Sequence, residues 1–182
     1  GSGFSGSPVY FDGRLAGAIS HMEKNLARQM VMAVPIARMM EDAARSGVAS
    51  LPAPVAAEPP EPGSMIVLPL VRGDIWLGAS GTLTYADKGM LLAFGHEHLF
   101  SGNTVQVPIH RALVHGVIPK TDMSHKEASP LEEIGSVVWD GKAAIVGKLG
   151  GKAAMTQLLV TCKPVSGPQR TYTLEMLKTT RL

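Results

Sequence analysis

The chain has 182 residues, enough for one domain or two small ones with a real core. Seventeen Lys and Arg against fifteen Asp and Glu leave a formal charge of +2 with no basic run, which excludes nucleic-acid binding by bulk charge. Hydrophobic residues make up 45% and charged residues 18%, excluding global disorder, and the longest apolar stretches (Met30 to Ala37, Met65 to Val71) are far too short to span a membrane.

Residues 1–50 open on Gly1-Ser2-Gly3-Phe4-Ser5-Gly6-Ser7-Pro8. Val9 to Phe11, the turn Asp12-Gly13-Arg14 and Leu15 to His21 then read as a hairpin, because Asp-Gly between short apolar runs is a strong turn signal. Met30 to Val34 reads as a further strand. Pro35 starts a helix, a position it tolerates because the first helical N–H has no partner. Ile36, Met39, Met40 and Ala43 recur at helical spacing and predict one packed face, and Gly47 ends the helix. Leu51 to Gly63 holds five prolines and two glutamates, so residues 51–64 read as a stiff, exposed linker.

Residues 65–182 are strand-rich. Expected strands are Met65 to Val71, Asp74 to Gly78, Gly81 to Tyr85, Met90 to Phe94, Thr104 to Val107 and Val114 to Ile118. Ile134 to Trp139, Ala143 to Val146, Gln157 to Cys162 and Thr171 to Leu177 follow. Ala86 to Gly89 and Asp140 to Lys142 read as hairpin loops, and strands this short and close predict a barrel or sandwich. Both ends read as cut, because the chain enters a dense motif at once and Leu174 to Leu182 read as a strand in progress. A fragment is therefore expected, and the lack of a signal peptide leaves export open.

Two segments carry candidate chemistry. In Gly3-Phe4-Ser5-Gly6-Ser7-Pro8, a glycine two residues before a serine lets the backbone turn so that the Gly3 and Ser5 amides point at one spot. A serine nucleophile needs such donors for its oxyanion and a base for its proton. A plain Ser/Gly loop entering a hairpin has the same composition. In Gly81 to Tyr85 and Met90 to His96, a strand running into Gly95-His96 would fix an imidazole at a barrel rim, as a general base requires. A histidine bonded to backbone would read the same way. His96 and His98 form His-x-His, with His110 and His115 downstream, which admits a zinc hydrolase. The spacing is weak, no acidic residue sits at a ligand interval, and the lone Cys162 excludes both a multi-cysteine zinc site and an intrachain disulfide.

Ser5-Gly6-Ser7-Pro8-Val9 followed by Asp12-Gly13-Arg14-Leu15-Ala16-Gly17-Ala18-Ile19-Ser20-His21 resembles the nucleophile region of the sporulation stage IV protein B peptidase family. These are serine endopeptidases, trypsin-like in their motif. Gly81-Thr82-Leu83-Thr84 with Phe94-Gly95-His96 is similar to that family's Gly-Thr-Leu-Thr and Gly-His segment, and Ile134 to Ser136 with Ala144 to Gly147 resembles a later strand pair. Met32 to Ile36 resembles the strand-to-helix junction of the high-temperature-requirement proteases, where a strand lines the substrate cleft. The resemblance implies Ser5 as nucleophile, His96 as general base and the Gly3 and Ser5 amides as oxyanion hole, with Ser7 the rival nucleophile. Asp140 and Asp122 are the candidate orienting acids, and neither is assigned.

In that family the histidine precedes the serine, whereas here Ser5 comes first. Chain order is free so long as geometry is kept. The expectation is therefore a mainly β fold of permuted trypsin-like barrels with one short helix. Residues 1–50 end a serine barrel, residues 65–150 supply the histidine barrel, and strands from 156 onward begin the missing half of the first. The implied activity is a serine endopeptidase acting on protein or peptide substrates, with no cofactor, metal or nucleic acid. An exported or envelope setting is expected from the resemblance alone. The alternative is an inactive peptidase-like barrel that binds peptides or envelope partners.

Overall fold

The computed structural model describes residues 3–23, 30–48, 60–98, 106–120 and 124–178. Among these described residues it is mainly β, with two antiparallel sheets and one α-helix. Strands β1 (Pro8–Phe11), β2 (Arg14–Glu23) and β3 (Met30–Pro35) form a three-stranded sheet in the order β1-β2-β3. Asp12 and Gly13 both have positive φ, 49° and 73°, between the paired residues Phe11 and Arg14. That is the primed two-residue turn which Asp-Gly favours. Helix α1 (Ile36–Ser46) follows directly, with Pro35 as its extended N-cap rather than its first residue. It ends on Gly47 at φ 67°, the left-handed cap that glycine adopts without strain.

The second sheet contains β4 (Met65–Gly73), β5 (Leu77–Asp87), β6 (Met90–Ala93), β7 (Pro108–Ile118), β8 (His125–Asp140) and β9 (Ile145–Leu149). These pair around a ring, β4-β5-β6-β9-β8-β7, which β7 closes onto β4 through Ile66 opposite Arg111 and Val67 opposite His110. The run β7-β4-β5-β6 has the spatial order of a Greek key. Bulges at Pro69/Val71 and Val137/Trp139 supply the bends that closure needs. Ile66, Leu68, Leu83, Leu91, Phe94, Ile109, Val137 and Ile145 fill the interior.

A second core joins the two sheets. Met39 and Ala43 of α1 and Ala18 of β2 pack with Leu92, Ala144 and Val146 of the ring. The methionine face predicted for the helix is thus a packing face, with Met39 fully buried.

Three expectations change. Asp74 to Gly78 is not a strand of its own: Asp74 and Ile75 form a bend, and Leu77 starts a single strand that passes through Gly81. Gly81 is a packing position, since a Cβ there would lie 2.3 Å from the Phe94 ring. The end of the proline stretch is docked rather than free, with Pro60 buried and the Gly63 amide donating to the Leu83 carbonyl at 2.8 Å. The hairpin of β10 (Met155–Cys162) and β11 (Arg170–Leu177) joins the ring sheet instead of the serine-side sheet, through Leu174 to Met176 opposite Val71 to Gly73. Residues 51–59 and Thr104 lie outside the described residues.

Candidate functional site

The two segments singled out by sequence dock on each other. The loop before β1 turns through Gly3 at φ 85° and Gly6 at φ 92°. Thr82 of β5 donates its amide to the Ser5 carbonyl at 2.8 Å and its hydroxyl to the Gly3 carbonyl at 2.7 Å. The Thr84 hydroxyl donates to the Gly6 carbonyl, also at 2.7 Å. Gly6 is required by space as well as by φ, because a Cβ would lie 1.9 Å from the Thr82 carbonyl oxygen and 2.5 Å from the Phe94 nitrogen.

Inside the loop the two serines differ. The Ser7 hydroxyl donates to the Phe4 carbonyl at 2.7 Å and closes the turn. The Ser5 hydroxyl is half-buried and has no such commitment among the described residues. No carbonyl among those residues accepts from the Gly3 or Ser5 amide, and Gly3 is buried, where a Cβ would lie 3.1 Å from the end of the Met65 side chain.

His96 follows a tight turn in which Phe94 and Gly95 both have positive φ, 71° and 68°. The turn lies against β2, where a Cβ on Gly95 would sit 2.8 Å from the Ile19 carbonyl oxygen. Nδ1 of His96 faces the Glu97 carbonyl. A carbonyl only accepts, so Nδ1 carries a proton, and in the neutral ring this leaves Nε2 as the acceptor. Among the described residues no hydrogen bond joins the Ser5 hydroxyl to the His96 ring.

Asp140 is buried and accepts the His98 amide at 2.9 Å, which holds the loop that carries His96. Burial pushes the His98 imidazole below its ordinary value, and the Asp140 charge opposes that shift. Asp122 lies outside the described residues. The histidines weighed as metal ligands are dispersed: His96 and His98 both pack on Phe94, His110 lies beside Arg72, and His115 bonds Ser129. Among the described residues no group of three or more His, Cys, Asp or Glu side chains is placed to hold a metal.

Sequence reasoning missed two residues here. His21 lies with its ring 4.9 Å from that of His96 in an open cleft of about 390 Å³, and its Nδ1 is 3.1 Å from the Ser20 hydroxyl. Its position at the end of the hairpin motif was the available signal. Lys126 of β8 donates to the Thr82 hydroxyl at 3.1 Å, and its ammonium lies 5.0 Å from the centre of the Phe4 ring. Burial pushes its pKa down. Nothing local marks it, since it is brought to the serine loop only by ring closure. Comparison with protein-family models, with curated proteins and with solved structures found no match.

Proposed function

We propose that this chain belongs to a serine endopeptidase of trypsin-like type, similar to the sporulation stage IV protein B peptidases. Ser5 attacks the peptide carbonyl, His96 takes its proton and returns it to the leaving amine, and the Gly3 and Ser5 amides receive the oxyanion. The observation that carries the reading is the seam between the two motifs, where Thr82 and Thr84 hold the carbonyls of Gly3, Ser5 and Gly6 beside the turn that bears His96. The free Ser5 hydroxyl, the tied Ser7 hydroxyl and the His96 tautomer support the same assignment. A closed Greek-key ring is compatible with a trypsin-like barrel.

The test is covalent labelling by a fluorophosphonate followed by peptide mapping. Label is expected on Ser5, lost in Ser5→Ala, kept in Ser7→Ala, and slowed about 10²- to 10⁴-fold in His96→Ala. Label that persists in Ser5→Ala would falsify the assignment.

A second reading is a catalytically inactive barrel that binds peptide. It is favoured by the lack of a hydrogen bond between Ser5 and His96, and by the use of Asp140 on a backbone amide instead of on the candidate base. It is the outcome if peptides bind the chain while no substrate is turned over.

A further inference from the structure

The cleft beside His96 has a charge pattern that the proton-transfer role of His96 does not use. Its walls come from both sheets and from α1. They carry Ser20 and His21 of β2, Arg38 in the first turns of α1, His96 and Glu97 after β6, and Lys142 in the turn between β8 and β9. Lys142 is exposed and makes no ion pair among the described residues. Arg38 spends Nη1 on Glu41 at 2.8 Å, which leaves donors of its guanidinium fork over. Lys142 and the spare donors of Arg38 therefore share one open space with two imidazoles and a hydroxyl, and Glu97, the carboxylate in the lining, forms an ion pair with neither cation among the described residues.

Such a cleft has cationic donors to spare for a further carboxylate. The outer strand β3 forms one wall through Ala33 and Val34, so an extended chain can lie along it and bring a side group or its own end into the cleft.

We propose that this cleft is a carboxylate subsite, in which Lys142 and Arg38 bind the carboxylate of a peptide lying along β3. The carboxylate is either an acidic side chain or the peptide's own C-terminus; both present the same planar acceptor that a guanidinium fork and an ammonium recognise. The proposal deepens the peptidase reading and rests on it for the ligand being a peptide. His21 and Ser20, in the same walls, add hydrogen-bonding groups.

The test uses the whole chain carrying Ser5→Ala, so that binding is read without hydrolysis. Three fluorescein-labelled peptides of one parent sequence are compared by anisotropy: one with a free C-terminus, one amidated, and one amidated with an internal Glu. At least one carboxylate peptide is expected to bind about fivefold tighter than the plain amide, and which of the two does so identifies the source of the carboxylate. The preference is expected to shrink in Lys142→Met, to vanish in Lys142→Met with Arg38→Met, and to weaken with added salt. Both side chains are exposed, and unchanged circular dichroism verifies that the variants fold. Equal affinity for all three peptides, no binding by any, or a preference that survives the double variant overturns the proposal. Because Ser5 is already removed, a carboxylate preference stands even if the labelling experiment fails, and its absence leaves the Ser5 assignment untouched.

Discussion

Thr82 shows how much one residue can carry in this fold. Its amide, hydroxyl and carbonyl all work at the seam: two hold the serine loop, and the carbonyl accepts the Phe94 amide at 3.2 Å. Thr84 repeats the hydroxyl contact one turn of the pleat further on, because residues two apart face the same side of a strand. The Gly-Thr-Leu-Thr string is thus a docking device: alternate hydroxyls face the loop, while Leu83 points into the ring core. Thr84→Val keeps the shape but leaves the Gly6 carbonyl without its partner, and is expected to cost about 1–3 kcal/mol in urea denaturation. Gly6→Ala is expected to cost more, because both φ and the 1.9 Å approach to the Thr82 carbonyl forbid a side chain. If Gly6→Ala matches the parent in stability, the seam is not as described.

Which residues were legible follows the same logic. Asp12-Gly13 and Gly47 sit where local backbone geometry demands them, and the sequence reads them correctly. Gly81 was read as the start of a strand after a turn, whereas its reason is the Phe94 ring across the strand pair. A glycine emptied for a distant side chain and a glycine needed for a turn are the same letter.

At the scale of elements, a buried carboxylate adds to the apolar packing of α1. Asp42 accepts the amides of Ala143 at 2.7 Å and Ala144 at 3.2 Å, and so pins the helix to the turn between β8 and β9. Gly141 makes room for it, since a Cβ there would lie 2.3 Å from the Asp42 carboxyl carbon. Asp42→Ala removes the acceptor and leaves two buried amides unpaired, so a loss of about 2–5 kcal/mol is expected in thermal or urea unfolding. Asp42→Asn keeps an acceptor and is expected to lose less. A larger loss in the Asn variant than in the Ala variant would remove this account.

The helix, its cap and its apolar face are all legible in sequence, because proline, glycine and a period of 3.6 are local signals. Asp42, in mid-helix, carries no local signal of its role. It is partnered with amides about a hundred positions away, and no periodicity reports that. The long strands β7 and β8 are likewise read short: in β8 the outer half mixes exposed apolar and polar residues that alternation does not resolve, whereas in β7 the missed half is the mostly buried one, where Pro108, His110 and Arg111 break the apolar pattern.

Across the whole molecule, one cluster ties the ring to the β10–β11 hairpin. Arg72 of β4 donates to Glu133 of β8 at 2.6 Å and to Glu175 of β11 at 2.7 Å. It also meets Nε2 of His110 at 3.1 Å, while Nδ1 of His110 faces the Leu131 carbonyl at 2.7 Å. Arginine only donates and a carbonyl only accepts, so these contacts fit the His110 tautomer that carries its proton on Nδ1. Burial alone would raise the Glu133 carboxyl, but hydrogen bonds from Arg72 and Lys152 outweigh it and hold the group below its ordinary 4.5. A carboxyl lowered by folding contributes stability that is present above 4.5 and is lost as pH falls through the lower folded value.

Glu133→Gln is therefore expected to melt below the parent at pH 7, by about 1–2 kcal/mol given its partial exposure, with the gap closing as the pH drops below the carboxylate range. Melting curves from pH 7 to pH 3 check this, and a gap that stays constant or widens in acid contradicts it. Ring closure, which creates both this cluster and the Lys126 contact, is the part of the fold the sequence predicts only in outline. Its strands were foreseen, but their order around the ring is not written in any one of them.

The seam at Thr82 also bears on how far the serine loop can be treated as a portable unit. Its three carbonyls are positioned by strand β5, which belongs to the other stretch of chain. Residues 3–23 moved to a foreign scaffold would keep the letters of the motif and lose the template that shapes it. Conversely, any strain that shifts β5 against β6 would reach the Ser5 loop and the His96 turn together, because both lean on the same few backbone atoms.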